Sequence, residues 1–470
     1  MTATTGPKLS RTRSKRKSSS MIQEAIERYH ELLTSEVAAE AHDRLQADLR
    51  ARGLYFGDRP LCRVLRPHFY LRDNWEYLVH ETQILLTAFT KMHGACLADS
   101  TLRAQLDLEP YEEQLFGLDA YADIPPWTSS RLDAFFMQDS HYLRFVEYNA
   151  ETPAGIGYGD LLTEAFLKLE PMKRFQQYYV VYDFPGLGHL LGALLFAYKQ
   201  WGGVENPQIA IVDWSEVPTL NEHEITRIYF ERNNVPAVLA DPRALEYRNG
   251  HLWVGDFRVD MVYKRVLISE LIQRMGVDNP IVRAVRDKAA LMTNGFSAKL
   301  LAKKASLAFL SDEQNSHLFD PDERAVIEAH IPWTRRIADR KTLYQGRPVD
   351  LLPFIAEHRE RFVIKPNDDY GGHGVVLGWE ASSEEWNAAI QRALTIPHVV
   401  QERVSPVIRD FPMLLDDGQL DISPRFVDAD PYVFYGKTVG GCLTRLSSVA
   451  LLNVTAGGGS VVPMFVIEKK

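Results

Sequence analysis

The chain is poor in cysteine: Cys62, Cys96 and Cys442 are the three in 470 residues, and no two form a Cys-x-x-Cys pair. Spacing that wide offers neither a disulfide framework nor a cysteine zinc site, and it suits a reducing cytoplasm. Long apolar runs are missing too. Spanning a bilayer takes about 20 predominantly apolar residues, and the nearest stretch, Leu187 to Phe196, is short and interrupted by His189. No membrane partner is therefore expected. Basic residues are in deficit, 53 Lys and Arg against 62 Asp and Glu, for a net charge of -9. A nucleic-acid surface is usually basic, so nucleic acid is not the expected partner. The basic start lacks the apolar core expected of a secretory leader, and the sequence shows neither an internal repeat nor a coiled-coil heptad.

What is present is ordinary globular material, 46% hydrophobic and 24% charged. The length calls for two or three domains. The first 20 residues, with Arg11-Thr-Arg-Ser-Lys-Arg-Lys17 inside them, are basic and Ser-rich and cannot bury enough surface to order themselves. From Met21 to about Ala51 apolar residues recur at helical spacing, as they do from Trp75 to Met92. Leu132–Phe136 and Leu143–Tyr148 read as an antiparallel hairpin turning at Gln138-Asp-Ser140. Strands at Tyr179–Tyr182, Ile209–Trp214, Val235–Leu239 and Val259–Tyr263 alternate with helices, which predicts a small parallel α/β layer. Helical segments are expected over Pro280–Ser311 and Pro321–Ala329, the latter with Asp320 as N-cap and Pro321 at the first position.

Three separated segments carry the chemistry. In Phe362-Val-Ile-Lys-Pro-Asn-Asp-Asp-Tyr-Gly-Gly-His-Gly-Val375 a strand ends in Lys365, passes a Gly-rich loop with Gly371, Gly372 and Gly374, and resumes as a strand. A cation beside backbone N–H groups that glycines let approach closely suits a polyphosphate. It is not a Walker loop, because no Gly-Lys-Ser/Thr opens a helix. In Arg144-Phe-Val-Glu-Tyr-Asn149, residues two apart share a strand face, so Glu147 and Asn149 project together and Val146 and Tyr148 face the other way. Their oxygens suit a hard cation such as Mg²⁺. Asp133, across the hairpin, could add another oxygen, and Arg131 shares its face. In Val399-Val-Gln-Glu-Arg-Val404 a strand ends in Gln401 and Glu402, which can pair with a base edge and ribose hydroxyls. Lys299, Lys303 and Lys304 sit in a helical context whose default reading is a solvated face. Two further Gly-rich stretches, Gly440-Gly-Cys-Leu-Thr-Arg445 and Asn453-Val-Thr-Ala-Gly-Gly-Gly-Ser460, look like loops over a site.

In this order the set resembles the circularly permuted ATP-grasp proteins, which include the synthetase part of glutathionylspermidine synthetase. Glu147-Tyr-Asn-Ala-Glu-Thr152 resembles that family's Glu-Tyr-Asn-Ala-Asp-Thr. Lys304-Ala-Ser-Leu307 is similar to its Asn-Lys-Ala-Ile-Leu helix, with Lys303 in place of the asparagine, and Gly440–Arg445 to its Gly-Gly-x-Cys-Leu-Arg, with one residue displaced. The loop Tyr370–Gly374 departs from the family's Gly-Arg-x-Gly, which leaves the substrates open. The resemblance implies an α/β (α+β) chain. After the disordered tail over 1–20 come a helical N-terminal region over 21–130, a metal-binding part over 131–175, a Rossmann-like pre-ATP-grasp domain over 176–290 and a nucleotide-binding part over 291–470. It implies an ATP- and Mg²⁺-dependent carboxylate–amine ligase working through an acylphosphate on small-molecule or peptide substrates. Asp133, Glu147 and Asn149 would hold the metal; Lys304, Lys365, Gly371, Gly372, Gly374, Gln401 and Glu402 the nucleotide; Arg131 and Arg445 the acylphosphate. The amidase domain of bifunctional relatives has no counterpart in the first 130 residues, so hydrolase activity is not implied. Oligomeric state is not legible.

A different class competes. Tyr179-Val-Val-Tyr-Asp-Phe-Pro-Gly186-Leu-Gly188 leads into a helix, and the next strand ends at Asp213, as in a dinucleotide-binding unit of an NAD(P)-dependent oxidoreductase. The third glycine is misplaced, at Gly192. A catalytically silent nucleotide-binding protein is a third reading.

Overall fold

The computed structural model describes residues 21–56, 59–121, 123–369, 371–448 and 459–470. The basic tail over 1–20, Tyr370 and most of the Asn453–Ser460 stretch lie outside the described residues.

The N-terminal helical pattern is two helices, residues 21–31 and Ser35–Ala51, because Thr34 caps the second by accepting from the Val37 N–H. The 27-residue helix Arg72–Ala98 buries Trp75, Leu78, Leu85, Phe89, Met92 and Cys96 along one stripe. No helix among the described residues is long and apolar enough to cross a membrane.

A parallel sheet orders Leu291–Thr293, Met261–Lys264, Ile209–Val212 and Ala237–Ala240 side by side. Its strands are nearly continuous apolar runs, as burial on both faces requires. Gly440–Arg445, expected as a loop, lies within the strand Thr438–Ser447, and two further expectations fail around the parallel sheet. Tyr179–Tyr182 does not join this sheet; it pairs antiparallel with Met464–Lys469, which also pairs in parallel with His68–Leu71. Its pattern explains why: Val180 and Tyr182 are exposed, so the strand has one solvated face and cannot sit in a two-sided parallel layer. The Pro280–Ser311 stretch is not continuously helical either. It yields the sheet strand Leu291–Thr293 between the helices Pro280–Arg286 and Lys299–Ala302, and a break at Lys303 (ψ 133°) before the helix Ala305–Ser311. Asp320 and Pro321 do open the helix Pro321–His330, with a reciprocal Asp320–Glu323 capping box.

Two antiparallel sheets frame the site. One runs in the order Val407–Leu414, Leu420–Val427, Thr438–Ser447, Asp430–Phe434, Ser129–Met137, Tyr142–Asn149, with Ser460–Val462 added on Thr438–Ser447. The other orders Thr334–Arg336, His398–Glu402, Phe362–Pro366 and Val376–Leu377 over a separate core of Leu351, Ile355, Phe362, Ile364, Trp386 and Val400.

Candidate functional site

The two antiparallel sheets and the broken lysine helix enclose a cavity of about 270 Å³. Its wall carries Arg131, Asp133, Glu147, Asn149, Lys304, Lys365, Gly371, Gly372, Gln401, Glu402 and Arg445. Gly374, also expected there, is outside the lining. It holds φ +69°, and a Cβ on it would lie 2.7 Å from Pro366 Cγ, so its role is the close packing of the loop on its own stem.

The hairpin has Asp133 opposite Glu147 and Arg131 opposite Asn149, but Ala134 opposite Phe145, so Val146 is the extra residue of a β-bulge. The bulge changes the phase. Phe145 and Tyr148 enter the core, while Val146, Glu147 and Asn149 all line the cavity. Strict alternation misplaced Val146. Its carbonyl accepts from Lys365 Nζ at 3.3 Å.

At one end, two guanidinium groups face three carboxylates. Arg131 donates to both oxygens of Asp133, at 2.8 and 3.1 Å. Arg445 reaches Asp428 at 2.5 Å, Asp133 at 2.7 Å and Asp430 at 2.9 Å. Burial works against the Asp133 carboxylate, but Arg131 and then Arg445 override it and hold the group well below the usual carboxylate range. Asp430 fares the opposite way. Burial raises it most, and Asp133 and Asp428 add like charge, so it is held well above the usual range despite Arg445. Its Oδ2 has no directed hydrogen bond. Sequence reasoning missed Asp428 and Asp430. The signal was available: like Glu147 and Asn149, they are polar residues two apart at a strand.

The lysines are not a solvated face. Lys299, Lys303 and Lys304 are 3, 2 and 8% exposed. Lys299 pairs with Glu151 (2.9 Å) and Asp368 (2.6 Å), and Lys303 with Glu112 (2.7 Å) and Asp368 (3.4 Å). Lys304 alone of the three lines the cavity, 3.3 Å from Glu147 and donating to the Asp369 carbonyl at 2.6 Å. Lys365 donates to Gln401 Oε1 at 2.7 Å, and desolvation pushes its ammonium down to about 8.

Gln401 Nε2 donates to Thr334 Oγ1 at 3.1 Å, so its amide is committed at both ends. Glu402 Oε1 accepts from the Tyr344 hydroxyl at 2.7 Å. Beyond them the cavity turns apolar, with Val363, Leu377, Val404 and Trp379, whose ring lies 4.3 Å under the Arg403 guanidinium. Trp379 and Arg403 also went unpredicted. A stack between two residues that lie just past the ends of separate strands has no local sequence signature.

For Mg²⁺ the donor set is partial. Among the described residues no group of three or more His, Cys, Asp and Glu side chains is arranged to hold a metal ion. Asp133 has both oxygens taken by Arg131, and Arg445 and Asn149 add to the same carboxylate. Glu147 is engaged by one lysine, and Asn149 uses its amide N–H on Asp133, which leaves its amide oxygen as an acceptor. A cation that keeps its waters and takes its other ligands from phosphate fits Glu147 and Asn149 better than Asp133.

The oxidoreductase unit does not assemble. Strand Tyr179–Tyr182 and strand Ile209–Val212 belong to different sheets. The Gly186 and Leu187 N–H groups, where a pyrophosphate would dock, donate to Asp160 at 2.8 and 2.9 Å. Asp213 is paired with His223 at 2.9 Å.

No protein-family model matches the chain. It is 24% identical over 471 residues to a Frankia casuarinae protein named "Putative glutamate--cysteine ligase 2-2", covering 93% of this chain and 51% of that one. A Frankia alni protein named "Putative glutamate--cysteine ligase 2-3" is 26% identical over 43% of this chain and 23% of its own. The chain thus spans about half or less of the curated relatives it matches. Among solved structures, an apo glutathione synthetase-like effector from Globodera pallida superposes with a TM-score of 0.58 at 12% identity, over 92% of this chain and 98% of that one. At that identity the likeness is one of fold. The chain is thus similar in sequence to relatives named as ligases and in fold to a glutathione synthetase-like protein.

Proposed function

We propose that the chain is an ATP-dependent carboxylate–amine ligase with a circularly permuted ATP-grasp fold. The observation that carries this reading is the convergence of three segments, distant in sequence, on one cavity: Glu147 and Asn149, Lys304 with Lys365, and Gln401 with Glu402. The parallel sheet is then the Rossmann-like pre-ATP-grasp layer.

Lys304 and Lys365 bind the phosphates, with the Gly371–Gly372 backbone beside them. The apolar end near Trp379 takes the base, and Glu402 the ribose. Gln401 acts through Lys365, which it orients. Glu147 and Asn149 would hold magnesium, which would supply charge neutralisation of the phosphates. Arg131 and Arg445, fixed by the three aspartates, face the carboxylate as its oxygen takes the γ-phosphoryl group from ATP and ADP leaves, and stabilise the charge that develops. The neutral amine then attacks the carbonyl carbon, the bond from that carbon to the phosphate oxygen breaks, and the departing phosphate takes the proton that the new amide sheds. Exclusion of water by the cavity protects the activated carboxylate. The resemblance to glutathionylspermidine synthetase makes a thiol peptide and a polyamine one candidate pair; a peptide or protein terminus is another. The three free, buried cysteines agree with a cytoplasmic setting.

Thermal-shift titration tests the nucleotide. MgATP at ~100 times its Kd stabilises the fold by about 2.7 kcal/mol, and NADH does nothing. A screen of acid and amine pairs for ADP release then tests the reaction. A shift with NADH and none with MgATP would refute the proposal.

A further inference from the structure

We propose that Asn367 and Asp368 are positioning residues that lock the Lys304 segment against the Lys365 strand, so that both ammonium groups reach one cavity. The consequence for nucleotide affinity rests on the function proposed above; the lock itself does not.

Asn367 is 3% exposed and directs its polar groups into the fold. Its Oδ1 accepts from the Ala305 N–H at 2.8 Å, and its Nδ2 donates to the Leu106 carbonyl at 2.8 Å. Its own carbonyl accepts from the Lys304 N–H at 3.0 Å, and its N–H donates to the Pro397 carbonyl at 3.0 Å. One side chain thus ties the strand end to the first turn of Ala305–Ser311. Asp368 adds charge to the same joint. Its Oδ1 takes Lys299 and its Oδ2 faces Lys303, and each lysine holds a second, buried carboxylate, Glu151 and Glu112 respectively. The helix break at Lys303 makes this geometry available by splaying three lysines that a continuous helix would put on one side. Asp368 does not line the 270 Å³ cavity, whereas Lys304, Lys365 and Asp369 do. It therefore acts on a ligand there through other residues.

The sign of one substitution separates positioning from plain electrostatics. Asp368→Asn keeps the shape and leaves each lysine a carboxylate, so the protein folds. Removing a negative charge near a phosphate site should, by Coulomb attraction alone, tighten anion binding. If Asp368 locks the stem, affinity falls instead. The expected result is MgATP Kd raised about tenfold by calorimetry, with amide exchange across 362–377 at least ~10-fold faster and the rest of the chain unchanged. Asp368→Glu, which retains the charge, restores most of both. Unchanged exchange in Asp368→Asn, or tighter MgATP binding, overturns the proposal. Failure of the parental protein to bind MgATP, with faster exchange in the variant, would overturn the ligase reading and leave the lock standing.

Discussion

Lys304 Nζ lies 3.3 Å from Glu147 Oε1 inside the cavity, so the cation proposed for phosphate and the anion proposed for metal neutralise each other. A ligand that brings metal and phosphate together replaces both halves of the pair at once. Either alone strands a charge in a poorly solvated place. Glu147→Gln should therefore remove most of the advantage of MgATP over metal-free ATP, with the Mg²⁺ midpoint raised about tenfold or more. Lys304 keeps the Asp369 carbonyl, and the Glu147 side chain is 29% exposed, so water reaches the charge left behind and unfolding should shift less than for a fully buried pair. Calorimetry with and without Mg²⁺ gives the answer, and a parental Mg²⁺ midpoint in the variant would remove Glu147 from the metal site.

Asp133 should behave differently. It is 5% exposed and is the main partner of Arg131. Asp133→Asn leaves that guanidinium with Asp430 at 3.9 Å and a backbone carbonyl. Loss of one member of a buried pair costs roughly 3 kcal/mol or more. A fall of that size in urea unfolding, beside a small fall for Glu147→Gln, would separate a scaffold carboxylate from a ligand carboxylate.

Lys365 sets a pH dependence. Desolvation pushes its ammonium down to about 8 from the 10.5 usual for a lysine. On the proposed function the charged form binds phosphate, so MgATP affinity should be level just below pH 8 and fall as pH rises through it. The effect on folding has the opposite sign. Between about pH 8 and 10 the unfolded chain binds more protons at this lysine, so its contribution to stability rises with pH. Lys365→Arg keeps a charge that does not titrate in this range and should flatten the affinity profile between pH 7 and 9.5. A parental profile that is flat across that range would show that Lys365 does not carry the phosphate.

Gly155 has φ +103°, and a Cβ there would lie 2.6 Å from Tyr432 Oη and 3.0 Å from Leu443 Cδ1. Gly155→Ala should cost about 2 kcal/mol or more from backbone strain and overlap together. Gly159, in the helix Ile156–Leu167, has open space around it, and Gly159→Ala should be neutral or stabilising by roughly 0.5–1 kcal/mol. Denaturant midpoints of the two variants moving in opposite directions would confirm both assignments.

Local signals carried well where one strand or turn decided the matter. The hairpin observed at Ser129–Met137 and Tyr142–Asn149 and the strand, loop and strand around Lys365 follow from period-2 patterning and from proline and glycine. The failures are all tertiary. Lys299 and Lys303 read as solvated because their carboxylate partners, Glu151, Glu112 and Asp368, are remote in sequence. Tyr179–Tyr182 read as a parallel strand because its alternating exposure was outweighed by the glycines that follow it. Val146 was misplaced by a bulge, which no residue of the hairpin announces. The paired arginines were found, but not Asp428 and Asp430, which are what fix one of them.

Pairing of Ser129 with Phe434 and Arg131 with Tyr432 joins the two halves of the sheet that carries the arginines. Contacts so remote along the chain form late, after a large loss of loop entropy. Until the strand Asp430–Phe434 docks, Arg131 has neither Asp430 nor Arg445 beside it, and the cavity lacks a wall. On the proposed function, ligand capture is then an all-or-none property of the closed sheet. An intermediate with both parts separately folded would be blind to nucleotide, which makes recovery of binding during refolding a clock for that single closing event.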